Sequence, residues 1–69
     1  MNKRQIIGAK LKEHRRKKNL TQVALGLIVG REGRQVSRWE CGANMPDLEV
    51  RGKLLEVLNI KSKNFFKGV

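Results

Sequence analysis

Cysteine, aromatic residues and acids are all scarce in this chain, and each shortage removes a class of function. The single cysteine, Cys41, allows neither an internal disulfide nor a cysteine-based zinc framework, which agrees with a reducing cytoplasm. The one histidine, His14, has no second ligand type spaced to complete a metal site, so no metal and no cofactor are expected. One tryptophan, two phenylalanines and no tyrosine leave no row of rings on which single-stranded bases could stack. There are no paired carboxylates and no nucleophile beside a base, so enzymatic chemistry is not expected. Proline occurs once, and there are no repeats, linkers or low-complexity stretches. No apolar run approaches the roughly 18 residues of a membrane span, and no signal-peptide pattern is present; the expectation is a cytoplasmic chain with no membrane partner.

Acids are outnumbered most of all. Six Asp and Glu stand against 16 Lys and Arg, for a net charge of +10. That balance points to a polyanion or an anionic membrane surface. A lipid binder needs a basic amphipathic helix with bulky apolar residues, and a nonspecific RNA binder needs stacking aromatics; neither is evident.

The 69 residues bound the answer to a single domain spanning 1–69. A chain of this size buries only about 60% of its unfolded surface, so it packs well, dimerises or is marginal. A first helix is expected from Asn2 or Lys3 to Lys18, with Ile6, Ile7, Leu11 and His14 on one stripe. From Lys10 to Lys18 there are six basic residues and one acid, and the last turn, Arg15 to Lys18, is where cations suit the helix dipole. Lys10, Lys12 and Lys17 read equally as a solvated face or as a border for phosphates. Asn19 tolerates the left-handed conformation that ends helices.

The centre of the chain is Thr21 to Glu40. Thr21 can cap a helix in which Leu25, Ile28 and Val29 recur at helical spacing, and Gly30 lets the chain turn. At about 100° per residue, the next helix places Arg31, Arg34, Gln35 and Arg38 on one stripe and Gly33, Val36 and Glu40 on the other. Trp39 reads as a core aromatic. Gly42 to Pro46 is a loop, and Asp47 caps a fourth helix through about Leu58, with Leu48, Leu54, Leu55 and Leu58 as its apolar stripe and Arg51-Gly52 interrupting it. Ser62 is expected to cap a short fifth helix, whose Phe65 and Phe66 close the core or carry a dimer contact. The basis for that contact is an excess of apolar residues over what so short a helix needs.

Several of these residues, in register, resemble the lambda-repressor/Cro-like helix-turn-helix family, also called the XRE family. They are Thr21-Gln22, Leu25-Gly26, Gly30, Val36-Ser37, Trp39-Glu40, Gly42 and Pro46. Ile7-Gly8, Leu11, Arg15 and Leu20 fit the preceding helix, and Leu54, Leu58 and Phe65 fit those that follow. The resemblance implies an all-α, five-helix lambda-repressor-like domain with the helix-turn-helix at helices two and three. It also implies sequence-specific binding of double-stranded DNA by a small bacterial or phage transcriptional repressor, acting as a homodimer on a palindromic operator. An alternative is an antitoxin-type protein that binds a partner protein and autoregulates its own promoter; Val23 and Leu27, four apart at positions usually polar, would be the contact patch.

Carried over position by position, the resemblance pairs Arg15 with Glu40 across two helices and sets Gln22 against the DNA backbone. Arg31, Lys10, Arg16, Lys17 and Asn44 are further expected phosphate contacts. Arg34 and Arg38 have the reach and fork geometry to read guanine, with phosphate binding as the alternative; Gln35 pairs with adenine or touches the backbone, and Ser37 sits on the edge of the stripe. Gly33 stands where relatives place a base-contacting side chain, which leaves that base step to Arg34, Glu32 or water. His14, Gly26, Arg31 and Arg51-Gly52 are the other departures, replacing an apolar residue, an alanine, a Val or Ile, and leucines.

Overall fold

Asn2 starts the first helix through a reciprocal pair of bonds: its side chain accepts from the Gln5 amide (2.9 Å), and its own amide donates to Gln5 Oε1 (3.0 Å). In the computed structural model, which describes residues 1–69, this helix is α1, Lys3–Lys17, followed by α2, Gln22–Val29, α3, Gly33–Cys41, and α4, Leu48–Val57. There are no strands, and no helix is long and apolar enough to cross a membrane. Each boundary has a local cause. Thr21 accepts from Ala24 and Asp47 from Val50, both at 3.0 Å, while Asn19 takes φ 57° after α1. Gly30 ends α2 at φ 76°, a left-handed conformation that a glycine adopts without the cost of a Cβ.

The core is one cluster: Ile7 and Leu11 from α1, Leu25 and Val29 from α2, Val36 and Trp39 from α3, Val50 and Leu54 from α4, then Leu58 and Phe66. Burying each such side chain contributes about 1.5–3 kcal/mol. The α3 helix lies between α1 and α2 and packs on both, while α4 leans on α2. Close approach is written into glycines: a Cβ on Gly8 would sit 2.4 Å from the Trp39 carbonyl oxygen, and one on Gly26 would sit 2.8 Å from that of Arg31. At position 26 the glycine is thus a requirement of this turn, because even an alanine methyl would strike backbone.

Three apolar residues expected on packing stripes face outward instead. Ile6, Ile28 and Leu48 are exposed, since each helix presents a stripe narrower than the run of apolar residues in its sequence. In α4 the inward position belongs to Val50 rather than Leu48. Arg51-Gly52 does not interrupt α4, which runs through both residues. Arg51 is bound there: its Nε donates to the Pro46 carbonyl (2.8 Å), and its guanidinium lies 5.3 Å from the Phe66 ring centroid. His14 is half-buried, donating from Nδ1 to the Lys10 carbonyl (2.8 Å) and meeting Phe65 edge-on at 5.7 Å.

The structure has four helices, not five. Residues 63–68 form successive turns whose bonds run three residues back, Phe65 to Ser62, Lys67 to Asn64 and Val69 to Phe66. Gly68, at φ 86°, then takes the left-handed conformation that ends such a run of turns. The apolar side chains of this segment pack within the chain, with Phe66 in the core and Ile60, Phe65 and Val69 half-buried against it. The surplus that would have marked it as a dimer contact is therefore not there.

One ion pair ties α1 to α3. Arg15 Nε donates to Glu40 Oε2 at 2.6 Å and Nη2 to Oε1 at 3.1 Å, with the side chains 9% and 3% exposed. Arg15 Nη1 also donates to the Leu20 carbonyl (2.7 Å), and Gln22 Nε2 reaches Glu40 Oε1 from α2 (3.0 Å). No buried side-chain polar atom lacks a partner. Removing one member strands a charge in the interior, so Arg15→Ala and Glu40→Ala should each destabilise by about 3–5 kcal/mol. The double variant should lose far less than the sum of the two. Denaturant melts of the three variants check this, and additive losses would contradict it.

A second ion pair holds α4. Arg31 Nη2 donates to Asp47 Oδ2 at 3.0 Å. The Val50 amide, and after it the Arg31 guanidinium, hold the Asp47 carboxyl below its ordinary range. A folded pKa below the unfolded one stabilises the fold above the unfolded value, and that contribution is lost as pH falls through the folded value. Asp47→Ala should therefore lower Tm at neutral pH, and the gap to the parent chain should close as the buffer is taken to strongly acid pH. Thermal melts along that series would show it; a gap independent of pH would place the stabilisation elsewhere.

Candidate nucleic-acid interface

The two faces of α3 differ completely in character. Val36, Trp39 and Glu40 are buried against α1 and α2, while Arg34, Ser37, Arg38 and Cys41 are exposed. The buried face fixes the helix, so the exposed one is presented at a set angle. On that side an open groove is lined by Glu32, Arg34, Gln35, Arg38 and Asn44. Asn44 arrives from the following loop because Gly42 turns the chain at φ 81° and the Ala43 amide donates back to the Arg38 carbonyl (3.0 Å). Four of the expected DNA-contacting residues, Arg34, Gln35, Arg38 and Asn44, are thus brought together, and none of the groove residues is hydrophobic.

Within the groove the donors are not equivalent. Arg38 is exposed, and its guanidinium has no partner within the chain. Arg34 Nη2 bonds Glu32 Oε1 at 3.1 Å. Gln35 Oε1 accepts from the Glu32 amide (3.1 Å) at the start of α3, which leaves only its NH2 group unengaged. Its NH2 group is free to donate, while its oxygen already serves the helix start with one of two lone pairs.

Other expected contacts lie elsewhere. Gly33 does not line the groove: it faces α2, where a Cβ would come within 2.8 Å of Val23 Cγ2 and 3.0 Å of Val23 Cα. The missing side chain reflects the close passage of α3 over α2. Gln22 is engaged by Glu40 and so belongs first to the buried network. Arg31 is half-buried, bonded to the Gly30 carbonyl and to Asp47, and it braces the turn between α2 and α3 against α4 rather than standing ready for a phosphate. Ser37 is exposed on α3 but does not line the groove. Lys10, Arg16 and Lys17 are exposed on α1; the last two share a shallow depression with Ala9, Lys12 and Glu13, and Lys17 pairs with Glu13 at 3.5 Å. That depression has no residue in common with the α3 groove.

Two features were not legible in the sequence. The Arg31–Asp47 pair spans 16 residues, and nothing in the local pattern of either residue names the other. The place of Glu32 in the groove was only one of several options for the base step beside Gly33, yet its carboxylate lies within bonding distance of Arg34. The apolar residues Val23, Leu27 and Ile28 form an exposed group on α2, with Leu27 the barest at 75% exposure. Compared with protein-family models, curated proteins and solved structures, the chain finds no match.

Proposed function

We propose that the chain is a sequence-specific binder of double-stranded DNA that acts as a small transcriptional repressor, with α2 and α3 as a helix-turn-helix. The observation that carries this reading is the α3 groove, where Arg38, Arg34, the Gln35 amide and Asn44 converge on the outer side of a helix whose inner side is locked. A helix of this width, with donors along one edge, enters the major groove of B-form DNA, and an arginine fork pairs with guanine O6 and N7. The net charge of +10 supplies the attraction to phosphate that brings the protein to any duplex. Lys10, Arg16 and Lys17 contribute to that attraction without reading bases.

A single groove carries few base-reading groups, and each good contact discriminates by about 1–3 kcal/mol. Two copies on a two-fold symmetric site double the discrimination, so a homodimer on a palindromic operator is the form proposed. Repression then needs no chemistry: the bound dimer occupies the promoter and excludes polymerase. A second reading, an antitoxin-type protein with a partner protein and an autoregulatory use of the same groove, is favoured by the exposed Val23, Leu27 and Ile28 on α2.

The test is selection of bound duplexes from a random pool, followed by measurements on the enriched duplex and a scrambled one across a salt series. The expected result is a two-fold symmetric motif with half-sites about one helical turn apart. Arg38→Ala should cost about 1–3 kcal/mol on that motif and relax preference at one base pair per half-site. Lys17→Ala should weaken both duplexes alike and lower the salt slope by about one. Bound pools without an enriched motif, or an equal loss on both duplexes for Arg38→Ala, would count against the reading.

A further inference from the structure

The groove holds one acid among its donors, and its placement is specific. Glu32 precedes the first turn of α3, and its Oε1 lies 3.1 Å from Arg34 Nη2, with the two side chains 69% and 74% exposed. The bond that Gln35 Oε1 accepts at this helix start comes from the Glu32 backbone amide. Exposed pairs of this kind add little to stability, and as the N-cap of α3 the carboxylate also gains a modest amount from the helix dipole. A carboxylate is also a poor neighbour for phosphate, and it subtracts from the attraction on which binding depends. A donor on the bound duplex would offset that loss.

In the major groove a G·C pair shows two acceptors on guanine, N7 and O6, beside one donor on cytosine, the N4 amino group. Arg34 and Glu32 show the complement: a donor fork beside an acceptor, one hydrogen-bond length apart. Glutamate accepts from cytosine N4, and arginine donates to guanine, in the pairings that geometry favours. We infer that Glu32 is a specificity-determining residue, and that the Glu32–Arg34 pair reads one G·C base pair as a unit, Arg34 on guanine and Glu32 on cytosine. The inference rests on the groove being a reader of duplex DNA, and it gives that groove a base preference. The acid also keeps Arg34 from acting as a simple phosphate clamp, because a phosphate oxygen drawn to the guanidinium would meet the carboxylate beside it.

The experiment puts the parent chain, Glu32→Gln and Glu32→Ala through selection from the same random duplex pool, with thermal melts to establish that each variant is folded. The parent should enrich a motif with an invariant G·C pair in each half-site. In Glu32→Ala the preference at that pair should fall about tenfold while the other positions keep theirs. Affinity for scrambled duplex should rise, since a negative charge has gone. Glu32→Gln, which keeps the shape but turns one acceptor oxygen into a donor, should lose the same preference. Variants that enrich the parent motif with every position unchanged would overturn the inference, as would a loss spread evenly over all positions. A parent chain that enriches no motif would overturn the DNA reading itself, a result distinct from either.

Discussion

The Arg15–Glu40 pair is the constraint on which the arrangement of helices depends. It is nearly dry, bidentate, and extended at both ends: Arg15 also holds the Leu20 carbonyl just before α2, and Glu40 also takes the Gln22 amide from within α2. One network therefore touches α1, the chain entering α2, α2 itself and α3. Charges buried in this way contribute little net stability compared with apolar packing, but they tolerate only one geometry. The glycines at 8 and 26 let the backbones come close enough for that geometry to be reached.

The consequence is a helix with one fixed side and one free side. Everything α3 presents inward, Val36, Trp39 and Glu40, is matched by α1 and α2, and Gly33 lets its first turn pass over Val23. What remains outward is polar and basic, with Arg38 unpartnered and Arg34 balanced by Glu32. Arg31, which by charge alone could have joined the outward group, is turned away to Asp47 and makes the turn between α2 and α3 continuous with the start of α4. The cations on α1 form a different patch. In the proposed reading these divide the work: a long-range attraction from the whole basic surface, and a short-range choice made by a few side chains on one helix.

Much of this could be read in the residues, and the failures have a common cause. Helix starts and stops at Asn2, Asn19, Thr21, Gly30 and Asp47 were legible because each depends on side chains or dihedrals within three or four residues. The partner of Arg15 was legible only through the resemblance, since 25 residues separate it from Glu40. Where spacing alone had to decide, at Ile6, Ile28 and Leu48, the stripe drawn was too wide, because periodicity does not say how much of a helix its neighbours cover. The expected fifth helix is a run of turns instead, although its Phe66 does close the core. Of the groove, Arg34, Gln35, Arg38 and Asn44 were legible, while the places of Gly33, Gln22 and Arg31 outside it were not. The surroundings of those three are set by contacts with other elements.

The central claim is that the α3 groove is the face that meets DNA while the network behind it stays intact. Backbone amide chemical shifts, followed as a duplex selected by the chain is titrated in, test this most directly. The account predicts that the largest changes fall on residues 32–38 and on Asn44, with Arg15 and Glu40 little affected. Changes concentrated instead on the outer face of α1, at Ala9, Lys12 and Arg16, or on residues 63–69, would contradict it.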